Sequence, residues 1–578
     1  MVEIFEDRAS ALPNYTSLFF KSSYVTREIR EVLQQQELYN LDILTGLYEF
    51  PTNRLFFLIM LFNKYVDVSF KPYKEPYIEQ KELSQYNFKA NLFSHQKEAV
   101  LYGLSHNGWM LLDTMGLGKT TSAICLAEAL KQECGIKHCL IICGVNGLKY
   151  NWASEIKKFS NLSCTILGQT TTPRGKQVIG TLEERWEALQ RNIDEFFVIT
   201  NIETLCGETK KIIKNGKITK RHTDKFADAF KKSVNEFGMI ILDEAHKCCN
   251  PDSYSVKSLL KLQSPHNLAM TGTPIMNNPD NAYVLLKWTG NTKCNFSTFK
   301  KMYNVYGGFD NKEVIGHKNL ELLQEHISKC SLRRKKEGII DLPPKTYKIE
   351  YVEMGKAQRD LYNQVEDGVL KELDLLPKES LTVKQEIAIN IRLRQITAFP
   401  GIINTKVTES AKLDRLEELV NTIVSQEDKV VVFSTFKQTI PEVCRRLERY
   451  SPIVCTGDEN DRKINENKDK FQNDPNSKVF IATWSKMGTG HTLNAANYVI
   501  FIDTPWTDAV FQQSADRIHR IGQTQKCTII TLITKDTYDE RVQEILENKE
   551  ILSNYLVDGT DSDKLTQLID LETSCVEC

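Results

Sequence analysis

Asp113-Thr114-Met115-Gly116-Leu117-Gly118-Lys119-Thr120 lies between an apolar run, Trp109 to Leu112, and a helix-like stretch, Thr121 to Lys131. A strand, a glycine turn and a helix start together present backbone N–H groups and a helix N-terminus to phosphates. In that arrangement Lys119 reaches the β- and γ-phosphates, and the Thr120 hydroxyl coordinates Mg²⁺. The general pattern wants glycine six residues before Lys119, where this chain has Asp113. Taken alone, the block also fits an ordinary glycine turn at a helix start.

Working outward, 578 residues exceed what one core accommodates, so two to four domains are expected. With 41% hydrophobic and 26% charged residues the composition is that of a globular protein. The net charge of −1 gives no global basic field, so any grip on nucleic acid must be local. The longest apolar run, Leu55 to Phe62, is far short of a membrane span, and no membrane association is expected. The first residues lack a basic stretch followed by an apolar one, so no secretory signal is expected. Fifteen cysteines are scattered, several inside apolar segments, which fits a cytosolic, reduced protein. Cys248-Cys249 lacks ligand spacing and Cys575-x-x-Cys578 has no second pair, so no metal cluster is assigned.

The expected fold class is α/β: two parallel-sheet lobes, a helical insertion and a small N-terminal accessory region. Residues 1–85 mix helical and apolar-aromatic patches and end in a probable-linker composition, Lys71 to Pro76. Strands and helices alternate over 86–290, with strands at Cys139 to Cys143, Phe196 to Thr200 and Met239 to Leu242. Such alternation predicts a parallel sheet covered by helices. The basic stretch Lys210 to Lys225, containing Asn215-Gly216, reads as a surface loop or hairpin, and its charge fits a solvated face as well as a DNA contact. Residues 291–405 read as mostly helical. A second alternating series over 406–556 has strands at Val430 to Phe433, Val479 to Thr483 and Tyr498 to Ile502, and 557–578 form a tail.

Two further pieces carry chemistry. Asp243-Glu244-Ala245-His246 ends an apolar strand, where a carboxylate must hold Mg²⁺ beside a phosphate loop. Asp243 is the metal residue, and Glu244 orients or deprotonates the attacking water. An acidic pair here could instead cap a helix. In the second series, Arg517 and Arg520 stand three apart and would share a face on a helix. They could be surface ion pairs, yet a γ-phosphate needs a cation, and such an arginine is worth roughly 10³–10⁵ in rate.

In motif order the chain resembles the Swi/Snf family of helicase-like, double-stranded-DNA-translocating ATPases. Phe93 to Gln96 resembles that family's adenine-side glutamine motif, and Asp113 to Thr120 its phosphate loop, in which an aspartate replaces the expected glycine. Gly147 to Trp152 with Glu155, and Thr200 to Leu205, are similar to its DNA-facing motifs. Asp243 to His246 is the acidic motif and Thr271-Gly272-Thr273-Pro274 the coupling motif. Leu332 to Glu337, Leu342 to Lys345, Phe433 to Phe436, Trp506 and Arg517-Ile518-His519-Arg520-Ile521-Gly522-Gln523 follow in order.

The resemblance, covering about Phe93 to Arg541, implies two RecA-like lobes that use ATP and Mg²⁺. It assigns ATP to Gln96, Gly116, Leu117, Gly118, Lys119, Thr120 and Thr121, and metal to Thr120 and Asp243. Catalysis falls to Lys119, Asp243, Glu244, Arg517 and Arg520, and coupling to Thr271, Gly272 and Thr273. Trp152, Thr200, Ser434, Thr483 and Trp506 are implied contacts to duplex or forked DNA, made mainly through phosphates, by a monomeric motor. Thr114, Gly144, Met487 and Thr492 depart from the family pattern. Gly490-x-Thr492-Leu493 points to the fork-remodelling branch, and hence to replication, recombination or repair. A strand-separating helicase, a nucleosome or transcription-complex remodeller, and a non-catalytic ATP-clamped scaffold are the alternatives.

Overall fold

The computed structural model describes residues 83–560 except 172–176, 206–208, 215–216, 223, 276–277, 308–312, 337, 340–341, 373–382, 457–458, 460, 484–492, 506–507 and 521; of residues 1–82 it describes mainly five strands and a few buried side chains. The chain forms two compact units. One comprises Met1–Thr114, Gly118–Arg334 and Asn554–Cys578, the other Met115–Leu117 and Lys335–Ser553.

The first unit is built on a seven-stranded, all-parallel sheet. Its strand order is Ser331–Leu332, Gly108–Leu111, His266–Met270, Phe237–Asp243, His138–Cys143, Phe197–Asn201 and Cys164–Ile166. The central strands are continuous apolar runs because helices cover both faces of a parallel sheet. All seven residues of Phe237–Asp243 and all five of Phe197–Asn201 are buried. The helix Lys119–Cys134 starts directly at the phosphate loop, and every residue from Thr121 to Leu130 is buried. Within the same unit, the N-terminal residues form a five-stranded mixed sheet ordered Asn40–Asp42, Leu47–Pro51, Thr16–Lys21, Val2–Arg8 and Val68–Lys71. Phe20 anchors it, with Phe62 edge-on at 4.8 Å and Tyr48 stacked at 5.4 Å. Nearly all of the expected linker, Lys71 to Pro76, lies outside the described residues.

The second unit carries a six-stranded parallel sheet ordered Lys345–Val352, Cys527–Thr534, Tyr498–Phe501, Val430–Ser434, Val479–Thr483 and Ile453–Cys455. Two alternating α/β sheets of this kind are the two RecA-like lobes expected from the sequence.

The helical insertion expected over 291–405 needs correction. It does contain helices, such as Leu320–Lys329 and Val383–Ala398. It also contains Ser331–Leu332, the edge strand of the first sheet, and Lys345–Val352, the edge strand of the second. The chain therefore changes units at 334–335, not at 406. Lys345–Val352 escaped notice because an edge strand is solvated on one side; Tyr347, Ile349 and Tyr351 are all exposed. The helix Tyr538–Asp558 runs to the start of the expected tail, and residues 561–578 lie outside the described residues.

Candidate active site

In a parallel sheet every strand ends on the same edge, and that edge is where ligands bind. Gly108–Leu111, His266–Met270 and Phe237–Asp243 are adjacent, so Asp113, Thr271 and Asp243 emerge side by side. The phosphate loop turns at Gly116 and Gly118, whose φ angles of +92° and +78° favour glycine. A Cβ at Gly118 would also collide with the Gln96 amide. Gln96 accepts from the Phe93 N–H at 3.1 Å and donates to the Gly118 carbonyl at 3.4 Å. The glutamine motif and the phosphate loop are thus one hydrogen-bonded unit. Lys119 Nζ donates to the Asp113 carbonyl at 2.8 Å. Burial lowers the Lys119 pKa, opposed by the nearby carboxylates of Glu244, Asp113 and Asp243.

Asp113 stands where the general pattern wants glycine, and its neighbours supply the reason. Its side chain is 1% exposed and takes a bidentate pair from Arg334, Nε to Oδ1 at 2.9 Å and Nη2 to Oδ2 at 2.6 Å. Arg334 also donates to the His95 carbonyl and, at 2.9 Å, to Glu98. The backbone continues the pairing: Met110, Leu112 and Thr114 N–H groups donate to the carbonyls of Cys330, Leu332 and Arg334. Arg333 Nη1 reaches the carbonyls of Leu112 at 2.6 Å and Gly272 at 2.9 Å, while its Nε donates to Asp558 at 2.9 Å. Two consecutive arginines, more than 200 residues downstream, therefore brace the loop strand and the coupling motif. Sequence reading found them only as a family block.

Asp243 ends the strand next but one to this loop strand, with His266–Met270 between them, and Glu244 follows it. Burial and the adjacent Glu244 push the Asp243 pKa up to about 6, while Trp152 and Lys119 act to hold it down. Glu244 has φ +49°, a left-handed conformation that costs a non-glycine residue about 1–3 kcal/mol and recurs at functional sites. Gly144, where the family has proline, fits this corner closely. Its N–H donates to the Asp243 carbonyl at 2.8 Å, a bond proline could not make. His246 Nδ1 lies 3.0 Å from Thr271 Oγ1 and 3.3 Å from Glu244 Oε2. Burial drives its pKa down to about 3, so the ring is neutral. Thr271 Oγ1 in turn accepts from the Thr273 N–H at 3.1 Å. This chain of contacts joins the acidic motif to the coupling motif.

Mg²⁺ fits these residues. A buried carboxylate whose anionic form is raised in energy by a second carboxylate gains from a divalent cation, and Thr120 is the second residue of the helix that follows the phosphate loop. Among the described residues no cluster of three or more His, Cys, Asp or Glu side chains could hold a metal alone.

Four of the five residues expected to contact DNA are buried. Trp152 is buried, and its indole N–H donates to Asp243 Oδ2 at 2.8 Å. The bond orients the Asp243 carboxylate. Ser434 is fully buried and donates to Asp503 at 2.7 Å. Thr200 and Thr483 are buried near the ends of their strands. Thr200, Ser434 and Thr483 lie at strand ends between helical layers and Trp152 on a helix packed against the sheet; Trp506 lies outside the described residues. The Gly488 to Thr492 segment, which carried the fork-remodelling signal, does too.

Arg517 and Arg520 do not share a helical face. The helix Asp508–Ala515 has ended, and both lie in the turns that follow. Arg517 is buried, whereas Arg520 is half-buried with its Nε on the Asp516 carbonyl at 3.1 Å. The turn is fixed by side chains. Asp516 pairs with Lys336 at 2.9 Å and Lys345 at 3.1 Å, and the Gln523 amide donates to the carbonyls of Ile518, Asn494 and Ala496.

The Trp152 contact yields a prediction. Trp152→Phe keeps an aromatic side chain and deletes the N–H that orients Asp243, a type of support worth about 10–100-fold in metal affinity. The Mg²⁺ concentration for half-maximal turnover should rise about 10-fold, with a matching loss of Mn²⁺ binding followed by electron paramagnetic resonance. Unchanged values of both would show that the bond carries no weight.

A model of the SNF2-related domain matches residues 52–402, and one of the helicase conserved C-terminal domain matches residues 411–522. An uncharacterised ATP-dependent helicase of Mycoplasma pneumoniae is 26% identical over 538 residues, covering 88% of this chain and 47% of that protein. The ATP-dependent helicase FUN30 of Saccharomyces cerevisiae is 26% identical, covering 78% and 45%. The DNA repair and recombination protein RAD54 of the same yeast is 28% identical, covering 80% and 55%. The chain thus spans about half the length of these relatives. With a loop braced by Arg333 and Arg334, a strand-end Asp-Glu pair and a family model spanning more than half of its residues, the chain belongs to the SNF2-related domain family.

Proposed function

We propose that this chain is a DNA-dependent ATPase that moves along or remodels duplex or forked DNA, in replication, recombination or repair. The observation that carries the proposal is Lys119 at the start of the helix after the phosphate loop, with Asp243, Glu244, His246 and Thr271 at or just past the ends of strands in the same sheet. The loop amides and Lys119 bind the triphosphate. Thr120 and Asp243 would hold Mg²⁺, which would supply neutralisation of the charge that develops during phosphoryl transfer. Glu244 accepts the proton of the attacking water. Neutral His246 stands between that carboxylate and Thr271, so a change in Glu244's hydrogen bonding alters the coupling motif. Arg517 and Arg520 are proposed to supply the further positive charge that phosphoryl transfer needs.

ATP turnover measured on duplex, forked, single-stranded and nucleosomal DNA tests this reading. Duplex or forked DNA should stimulate turnover most. Preference for nucleosomes would move the chain to the remodellers, and indifference to every DNA would end the motor reading. Unwinding of ordinary forks from a single-stranded tail would instead favour a strand-separating helicase.

A further inference from the structure

The turns after the helix Asp508–Ala515 carry both arginines, and each backbone carbonyl from Asp516 to Arg520 accepts a hydrogen bond. The Asp516 carbonyl accepts from Arg520 Nε at 3.1 Å, that of Arg517 from the Leu493 N–H at 2.9 Å, and that of Ile518 from the Gln523 amide at 3.0 Å. The Arg520 carbonyl accepts from the Gln523 N–H at 2.9 Å. The His519 carbonyl accepts from Lys336 Nζ at 3.1 Å. The other donors come from residues 493–523, whereas Lys336 stands 183 residues from its acceptor.

The same Lys336 atom lies 2.9 Å from Asp516 Oδ2. Asp516 immediately precedes Arg517, and His519 immediately precedes Arg520. One ammonium therefore grips the residue in front of each arginine. A lysine ammonium is a compact point charge with several donors, which suits two acceptors converging from different directions. Lys336 and Asp516 are both buried, where charge-assisted bonds are strong. Asp516 has a second cation, Lys345 at 3.1 Å, whose ammonium also lies over the Tyr347 ring at 5.2 Å. The two lysines are not equivalent. Without Lys336, Asp516 keeps Lys345, while the His519 carbonyl loses the ammonium that holds it. Lys336 also has a particular place in the chain. Arg333 and Arg334 brace the loop strand of the first unit, and the chain enters the second unit at Lys335. A single residue separates the two braces in the sequence.

We propose that Lys336 is a positioning residue for ATP hydrolysis: it fixes the backbone in front of Arg520 and thereby aims the guanidinium. The inference rests on the reading above, in which Arg517 and Arg520 supply charge for phosphoryl transfer. Lys336 acts through Arg520 and not by touching nucleotide itself.

Its test is a double-mutant cycle on the full chain: parent, Lys336→Met, Arg520→Ala and the two together. ATP turnover on saturating duplex DNA is followed by release of radiolabelled phosphate, and nucleotide affinity by fluorescence. Lys336→Met should lower kcat by about 10²-fold, the cost of a group misplaced by about 1 Å, with nucleotide affinity within about 2-fold of the parent. In the Arg520→Ala chain the same substitution should cost less than about 3-fold, because the group it aims is gone. Lys336→Gln keeps a donor for the His519 carbonyl and should retain more turnover than Lys336→Met. Lys345→Met should also cost less, since Lys336 then stays on both of its acceptors. Unchanged kcat in Lys336→Met would overturn the proposal. An equal fold-loss with and without Arg520 would overturn it too, leaving Lys336 a general support of the fold. If Lys336→Met does not fold, Lys336→Gln with and without Arg520→Ala decides by the same comparison. Full turnover in Arg520→Ala would instead overturn the arginine reading on which the proposal rests.

Discussion

Glu244→Gln should reduce DNA-stimulated ATP turnover by about 10²–10⁴-fold, the usual contribution of a general base, and leave ATP affinity nearly unchanged. Glutamine preserves the shape at a position whose left-handed backbone is already fixed by the packed corner around Gly144. It removes the carboxylate beside neutral His246 that is proposed to take the proton from water. Lys119→Ala provides the contrast. Lysine touches phosphates in the ground state as well as the transition state, so its loss should weaken nucleotide binding along with turnover. Nucleotide affinity by fluorescence and turnover by phosphate release separate the two. Full turnover in Glu244→Gln would leave ATP acting as a clamp on a scaffold, not as fuel for a motor.

Arg334→Met should destabilise the loop strand by about 3–5 kcal/mol, the cost of leaving a buried charge without its partner. Asp113 is the stranded group, since its side chain is 1% exposed and both of its oxygens face Arg334. The double variant Asp113→Asn, Arg334→Met should recover a substantial part of that loss, because no unpaired charge then remains buried. Two units make a single unfolding energy ill defined, so hydrogen exchange within Gly108–Leu111 is the appropriate measurement. Exchange in Arg334→Met as slow as in the parent would remove the brace. Equal loss in single and double variants would show that shape, not charge, decides.

Both effects mark the limit of what the linear sequence discloses. Apolar runs such as Val430–Ser434 and Phe237–Asp243 are legible because a doubly covered strand must be apolar throughout. The phosphate loop and acidic motif are legible because glycine turns and strand-end carboxylates are local patterns. Trp152 on Asp243 and Arg334 on Asp113 join residues 91 and 221 apart, and no periodicity records such pairs. Ser331–Leu332 is too short to show a period at all. Arg517 and Arg520 misled because a spacing of three suits a helix, while the bonds that end this helix come from Lys336, Lys345 and Gln523.

The late return of Ser331–Leu332 to the loop strand also shapes how the first unit is made. Until residue 334 has left the ribosome, Gly108–Leu111 has a neighbour on one side only, and its other edge is bare. An uncovered edge can recruit another chain, and long-range pairing is slow to form. The nascent chain therefore carries an exposed edge for more than 200 residues of synthesis. The two arginines that steady the nucleotide loop directly follow the strand that covers this edge. Completion of the phosphate loop and protection from aggregation are thus one event in the birth of this protein.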